Sequence, residues 1–328
     1  MSVVTTATGK VGITGLTSLE EVKSVNMTEQ AIETVNLTRK FGDFTAVNSV
    51  SMQIPKGSVF GLLGINGAGK STIIKMLLGH LRPTSGEVNI LGRSLEKDLI
   101  EIRKKVGYVS ENRYLYEWMT VAESVKFTKG FHENWDDAKA ESLLKRFGLP
   151  LNKRVKQLSR GNRARLCLTL ALSFNPELII LDEPTSGLDP IVRRDFIENI
   201  VVEIGQEGRT VLFSSHIVEE VERVADYVAI INEGKLLLST SVDALKASVK
   251  RVRFSANGKR PDLSDMPSVL GIENLRHEQI VTFKNFTEET LRTLTLRGIY
   301  NPEVLPLSLE DIFVYSVRAE REKATDRN

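Results

Sequence analysis

The chain has 328 residues, 41% of them hydrophobic and 26% charged, with a net charge of +2. That is the composition of an ordinary globular protein, long enough for one large domain and one small one. It excludes a chain held to nucleic acid or to an anionic membrane surface by bulk charge.

Residues 1–32 are rich in Thr, Ser, Val and Glu without a sustained period, and read as a weakly ordered extension with a short helix near 17–31. The opening "MSVVTTATGK" lacks the apolar centre of a signal peptide. No run of about 18 apolar residues follows anywhere, so a membrane role has to pass through another chain.

From residue 33 short β-type segments alternate with turn signals, at Gly42-Asp43 and Pro55-Lys56-Gly57. "GSVFGLLG" (57–64) reads as a buried strand, "KSTIIKMLLGHL" as a helix and "GEVNILG" as a strand. Residues 94–150 read as mainly helical, from the apolar spacing of "LEKDLIEIRKKVG" and "DDAKAESLLKRFGL". A polar turn, "LSRGN" (158–162), then opens another helix. That helix carries the single cysteine, Cys167, which cannot close an internal disulfide and reads as a small buried hydrophobe in a reducing compartment. "ELIILDEP", "RTVLFSSH" and "YVAIINEGKLLL" are further strands. Unalternated apolar strands separated by helices predict a parallel sheet covered on both faces. A break near 245–250 is followed by a small α+β region with a basic, polar end.

The chemistry begins at "GINGAGKS", which fits G-x-x-x-x-G-K-[ST] between a strand and a helix. Gly64, Gly67 and Gly69 let the backbone of Ile65, Asn66 and Ala68 fold around phosphates with amides pointing inward. Lys70 supplies charge for the β- and γ-phosphates, and the Ser71 hydroxyl, followed by Thr72, can ligate Mg²⁺. "LIILDE" (178–183) pushes Asp182 out at a strand's carboxyl end, where it can hold Mg²⁺. Glu183 then stands where it can deprotonate an attacking water. "LFSSH" ends another apolar strand and brings His216 to the same edge, as a γ-phosphate contact. For each motif there is a plainer alternative: a Gly-rich turn, a capped strand end, a structural histidine.

Over residues 33–245 the order "GINGAGKST", "LSRGN", "LIILDEPTSGLD", "LFSSH" resembles the ATP-binding-cassette (ABC) ATPases. The resemblance implies an α/β P-loop fold with a parallel core sheet, an antiparallel β subdomain and a helical subdomain. The expected boundaries are 33–247 for the cassette, about 94–175 for its helical subdomain, and 248–328 for a C-terminal accessory domain. "LSLEDIFVY" (307–315) is similar to the ending of accessory domains on exporter-type cassettes.

The resemblance further implies ATP and Mg²⁺ as cofactors, and two cassettes packed head to tail. Ser159 and Gly161 of one chain would then close over ATP held by the other, with Asp189 at the seam. The plainer reading of 158–166 is a helix start capped by Ser159, and the two readings are compatible. Phe41 matches the aromatic that stacks on adenine. Arg160 and Asn162 depart from the family's usual Gly and Gln, and Glu111 stands where a Gln commonly meets metal and water. The aromatic segment 112–127 corresponds to the region that receives a short helix of a separate membrane permease, although local packing would also account for it.

The expected function is ATP hydrolysis energising such a permease, in the export direction, by a cytoplasmic chain that is membrane-associated only through its partner and that binds no nucleic acid. A soluble ABC ATPase acting on ribosomes or DNA, and a weakly hydrolysing ATP sensor, are the alternatives.

Overall fold

The computed structural model describes residues 29–325, apart from 202, 203, 205, 206, 257–259 and 264. Most of the expected N-terminal extension lies outside the described residues. The end of its predicted helix instead belongs to a strand, β1 (Gln30–Phe41).

β1 pairs antiparallel with β2 (Phe44–Pro55), and Phe41 faces Phe44 across a tight Gly42-Asp43 turn. β4 (Ser85–Ile90) and the short β5 (Arg93–Ser94) complete a four-stranded sheet in the order β2-β1-β4-β5. Its inward side chains, among them Ile32, Leu37, Val50 and Ile54, are fully buried. They pack with Phe60, Leu62, Ile73 and Ile74 into one apolar core. Each such side chain contributes about 1.5–3 kcal/mol of burial free energy.

The central sheet has six strands in the order β10-β9-β3-β8-β7-β6. The parallel members are β3 (Val59–Leu63), β6 (Val106–Val109), β7 (Leu178–Leu181), β8 (Thr210–Ser215) and β9 (Tyr227–Asn232); β10 (Lys235–Ser241) closes the edge antiparallel to β9. β3 and β7 are buried at every position, because helices or the second sheet cover both faces. β6 corrects the sequence reading of 94–150 as mainly helical. The helix expected there shrinks to α2 (Leu99–Arg103), and "VGYV" is recruited as an edge strand beside β7. Four residues carry too little periodicity to separate strand from helix before tertiary packing decides.

α3 (Val121–Lys129) starts at a capping box in which Thr120 and Glu123 satisfy each other's backbone N–H groups. α4 (Asp137–Arg146) is capped by Asp136. α5 (Arg160–Leu172) has two buried faces. Leu166 and Leu170 join Val121, Leu144 and Val155 in the core of the helical lobe. Ala164, Leu168 and Leu172 join the main core under the central sheet. A helix apolar on opposite sides is what two cores demand.

After β11 (Lys250–Ser255), the strands β12 (Val269–Asn274), β13 (Glu278–Phe283) and β14 (Glu303–Leu305) form a separate antiparallel sheet, order β12-β13-β11-β14. Val252, Phe254, Val281, Phe283 and Leu294 give it a small core of its own. The last helix, Leu309–Thr325, returns to the large domain, where Leu309 and Ile312 are buried in the main core.

Candidate nucleotide-binding site

The sheet order brings four strand ends side by side. β3 leads into the phosphate loop, β8 into His216, β7 into Asp182 and Glu183, and β6 toward Glu111. Open α/β sheets bind ligands at this carboxyl edge.

The loop Gly64–Gly69 is closed by backbone bonds from Ala68 N to Ile65 O (3.1 Å) and from Gly64 N to Ser215 O (3.3 Å). Two glycines are required by space. A Cβ on Gly64 would lie 2.5 Å from the Ile231 carbonyl. Gly69, with φ of +108°, starts helix α1 (Lys70–Leu77), and a Cβ there would meet the Ala46 carbonyl at 2.8 Å. Ile65, Asn66 and Gly67 are exposed at the rim, Ala68 is buried beneath them, and Ser71 and Thr72 are partly covered in the first helical turn.

Lys70 is buried. Its ammonium donates to Gly64 O at 2.6 Å and to Ile65 O at 3.3 Å, and pairs with Glu183 Oε1 at 3.0 Å. The other Glu183 oxygen lies 2.8 Å from His216 Nδ1. The three residues expected to act on the γ-phosphate therefore form one connected chain. Glu183 has φ of +45°, a left-handed conformation that costs a non-glycine residue of order 1–3 kcal/mol.

Asp182 Oδ1 accepts from Ser214 Oγ (2.8 Å) and from Ser71 Oγ (3.2 Å). Burial pushes the Asp182 carboxyl above its ordinary range; the two hydroxyls pull it back, and Glu183 and Glu111 push it up again. Ser214 also accepts from the Glu183 backbone N–H at 2.9 Å. Of the three expected metal ligands, Ser71 and Asp182 are together. Glu111 is exposed and accepts from Ser186 Oγ at 3.2 Å. A pair of hard oxygen donors, with no larger cluster of His, Cys, Asp or Glu among the described residues, fits a Mg²⁺ that relies on phosphate and water for the rest of its shell.

Ser159 caps α5, accepting from Asn162 N at 3.2 Å. A Cβ on Gly161 would lie 3.0 Å from Val192 Cγ1, so this glycine allows the turn to rest on α6 (Pro190–Asp195). Asp189 caps that helix, accepting from Val192 N at 3.1 Å. Arg160 covers Gly187, and Arg163 pairs with Glu117 at 2.9 Å. Among the described residues no hydrogen bond or ion pair ties 159–163 to the phosphate loop of the same chain. Phe41 is half exposed at the tip of its hairpin, with the Arg39 guanidinium 4.5 Å above its ring.

Sequence reasoning missed Ser214, Arg113 and Glu220. Arg113 donates to Pro184 O (2.8 Å) and Ser186 O (2.9 Å) and so holds the turn after Glu183. Ser214 lies inside "LFSSH", where only His216 was given a role, and Arg113 lies in 112–127, which was read only for its aromatics; the doubled Ser in "LFSSH" and doubled Glu in "VEEV" were the available signals.

The ABC transporter family model matches residues 47–186, which contain the phosphate loop, the turn at Ser159 and the Asp182–Glu183 pair. An uncharacterised ABC transporter ATP-binding protein of Nostoc sp. is 40% identical over 288 residues, 84% of each chain. The Escherichia coli protein named "Probable multidrug ABC transporter ATP-binding protein YbhF" is 38% identical over 239 residues, 71% of this chain; the aligned part spans only 40% of YbhF's length. A solved structure described as the ATP-binding subunit of an ABC transporter superposes with a TM-score of 0.60 at 28% identity, over 66% of this chain and 92% of its own. With its phosphate loop, carboxylate pair and strand order, the chain belongs to the ABC transporter ATP-binding proteins and carries their ATP-binding cassette.

Proposed function

We propose that the chain hydrolyses ATP to drive a separate membrane permease outward. The observation that carries this is the linked set Lys70–Glu183–His216 at the carboxyl edge of the sheet, with contacts of 3.0 Å and 2.8 Å. When ATP enters, the Lys70 ammonium exchanges Glu183 for the β- and γ-phosphate oxygens, and Glu183 is released to take a proton from the attacking water. The water oxygen bonds to the γ-phosphorus, the bond to the β-phosphate oxygen breaks, and ADP leaves. His216, held by Glu183, donates to the γ-phosphate. Mg²⁺ held by Ser71 and Asp182 would neutralise phosphate charge. Phe41 stacks on adenine through its ring face.

The cassette works as a pair. Ser159 and Gly161 stand at the start of α5 without a contact to their own phosphate loop, and a second copy uses that helix start as an anion site. Asp189 and the turn before it lie beside this surface.

The permease docks on the cleft between the sheet edge and the helical lobe. It measures about 420 Å³ and is lined by Tyr108, Tyr114, Tyr116, Phe127, Cys167 and Phe174, among others. Beside it Trp118 is 64% exposed, and Tyr116 packs edge-on to Phe127 with centroids 5.4 Å apart. Exposed aromatics around an apolar cleft suit a short amphipathic helix. The outward direction rests on the likeness to a relative named for multidrug transport.

Two measurements test this reading. The purified chain should split ATP, and Glu183→Gln should lower kcat by about 10²–10³-fold while ATP still binds. Trp118→Ala should weaken the complex with the permease by about tenfold or more. Full turnover by the Gln variant would overturn the catalytic assignment.

A further inference from the structure

Three carboxylates are buried among the described residues: Asp182, Glu183 and Glu220. The reaction above uses the first two. Glu220 lies on α7 (Val218–Val224), the short helix after His216. Burial pushes its carboxyl above the ordinary range, so its retention needs a reason.

Its contacts supply one. Oε1 accepts from Thr185 Oγ1 at 2.8 Å, and Oε2 accepts from Ser215 Oγ at 2.6 Å. Arg193 Nε approaches Oε1 at 3.7 Å. Thr185 is two residues after Glu183, and Ser215 immediately precedes His216. Ser215 Oγ also accepts from Ile217 N at 2.9 Å, so the hydroxyl that Glu220 holds itself closes the backbone turn around His216. A second tie runs parallel: Glu198, just beyond α6, accepts from Arg223 of α7 and from Arg194.

We infer that Glu220 is a positioning residue for ATP hydrolysis. It clamps the turn after Glu183 to the turn carrying His216 and thereby fixes the 2.8 Å contact between these two side chains. The inference rests on the proposed roles of Glu183 and His216. Its chemistry demands two acceptor oxygens at once. A glutamine would turn an NH₂ group toward one hydroxyl. If that hydroxyl is Ser215's, it gives up the 2.6 Å bond it donates to Glu220 and must turn its proton toward Ile217 O, 3.3 Å away. An aspartate is one methylene too short to span both hydroxyls.

The test compares full-length wild type, Glu220→Gln, Ser215→Ala, Thr185→Val, His216→Ala and Glu183→Gln, with rates counted per folded molecule. Misplacement by about 1 Å costs on the order of 10²-fold in rate. Glu220→Gln is expected to lower kcat by about 10- to 100-fold, with the KM for ATP changed by less than about threefold. Glu220→Gln added to His216→Ala should slow the enzyme no further, because the clamp acts through the histidine. If Glu220→Gln does not fold, Ser215→Ala and Thr185→Val carry the same expectation.

A kcat within about twofold of wild type in the clamp variants, while Glu183→Gln is inactive, overturns this inference and leaves the hydrolytic reading intact. Multiplicative losses in the double variant also overturn it. Turnover by Glu183→Gln at the wild-type rate overturns the hydrolytic reading itself.

Discussion

Lys70 and Glu183 face each other at 3.0 Å with both side chains buried, so the cation proposed to bind phosphate and the carboxylate proposed to activate water neutralise one another before nucleotide arrives. In the proposed mechanism, opening this pair is part of binding ATP. Removing one partner leaves the other charge buried alone, which costs roughly 3–5 kcal/mol when nothing else compensates.

The two removals are unequal. After Glu183→Gln, Lys70 keeps the carbonyls of Gly64 and Ile65. After Lys70→Ala, Glu183 Oε1 loses its partner in a buried place. Lys70→Ala should therefore lower the stability of the nucleotide-free chain more than Glu183→Gln does, and it should also abolish ATP binding. Urea unfolding midpoints and a nucleotide-binding titration check both points.

His216→Ala removes the imidazole whose Nδ1 lies 2.8 Å from Glu183. The expected result is a fall in kcat of about 10²-fold, with ATP affinity little changed, because a contact that strengthens toward the transition state supports rate more than binding. Steady-state kinetics with a separate measurement of Kd resolves the two.

The nucleotide-free chain should lose stability as pH rises out of the ordinary carboxylate range. Burial raises the carboxyls of Asp182 and Glu220 in the folded state. Between the unfolded and the raised folded values the native state binds more protons than the unfolded one, so stability falls with rising pH through that window and levels off above it. Asp182→Asn should remove part of the slope. Mg-ATP, which favours ionised Asp182, should flatten it. Urea midpoints across pH, with and without Mg-ATP, read both effects.

Burial pushes the Cys167 thiol up to about 12. At neutral pH its thiolate population is then about 10³-fold below that of a free cysteine, and labelling by a maleimide should slow accordingly. Unfolding should restore ordinary reactivity. A thiol assay before and after denaturant measures the ratio.

Leu309 and Ile312 tie the last helix to the main core, although they follow the small sheet in sequence. Leu309→Ala should destabilise the large domain by about 2–5 kcal/mol. A lowered unfolding midpoint with unchanged denaturant slope is the expected signature.

The phosphate loop was legible because its constraints are local: glycines where backbone crowds backbone, then a lysine opening a helix. The carboxylates and His216 were legible because an apolar strand that ends abruptly in a charged or ring side chain marks the edge of a sheet. The Lys70–Glu183 pair was not, since it joins residues more than a hundred positions apart through a strand order that local patterns do not encode. β6 was lost for the opposite reason: four residues between two short helices hold too little pattern. The return of Leu309 and Ile312 to the large core escaped because an amphipathic helix announces a buried face without saying against which neighbour.

The seating of Gly161 on Val192 carries one more consequence. The turn that caps α5 and the helix capped by Asp189 are joined within each subunit before any twin arrives. In the proposed pair, what one subunit offers the other is therefore a prefabricated cover, not two loops that must be arranged during closure. A bulkier residue at 161 would misalign that cover while leaving the subunit's own phosphate loop intact, so the damage would surface only in the neighbour.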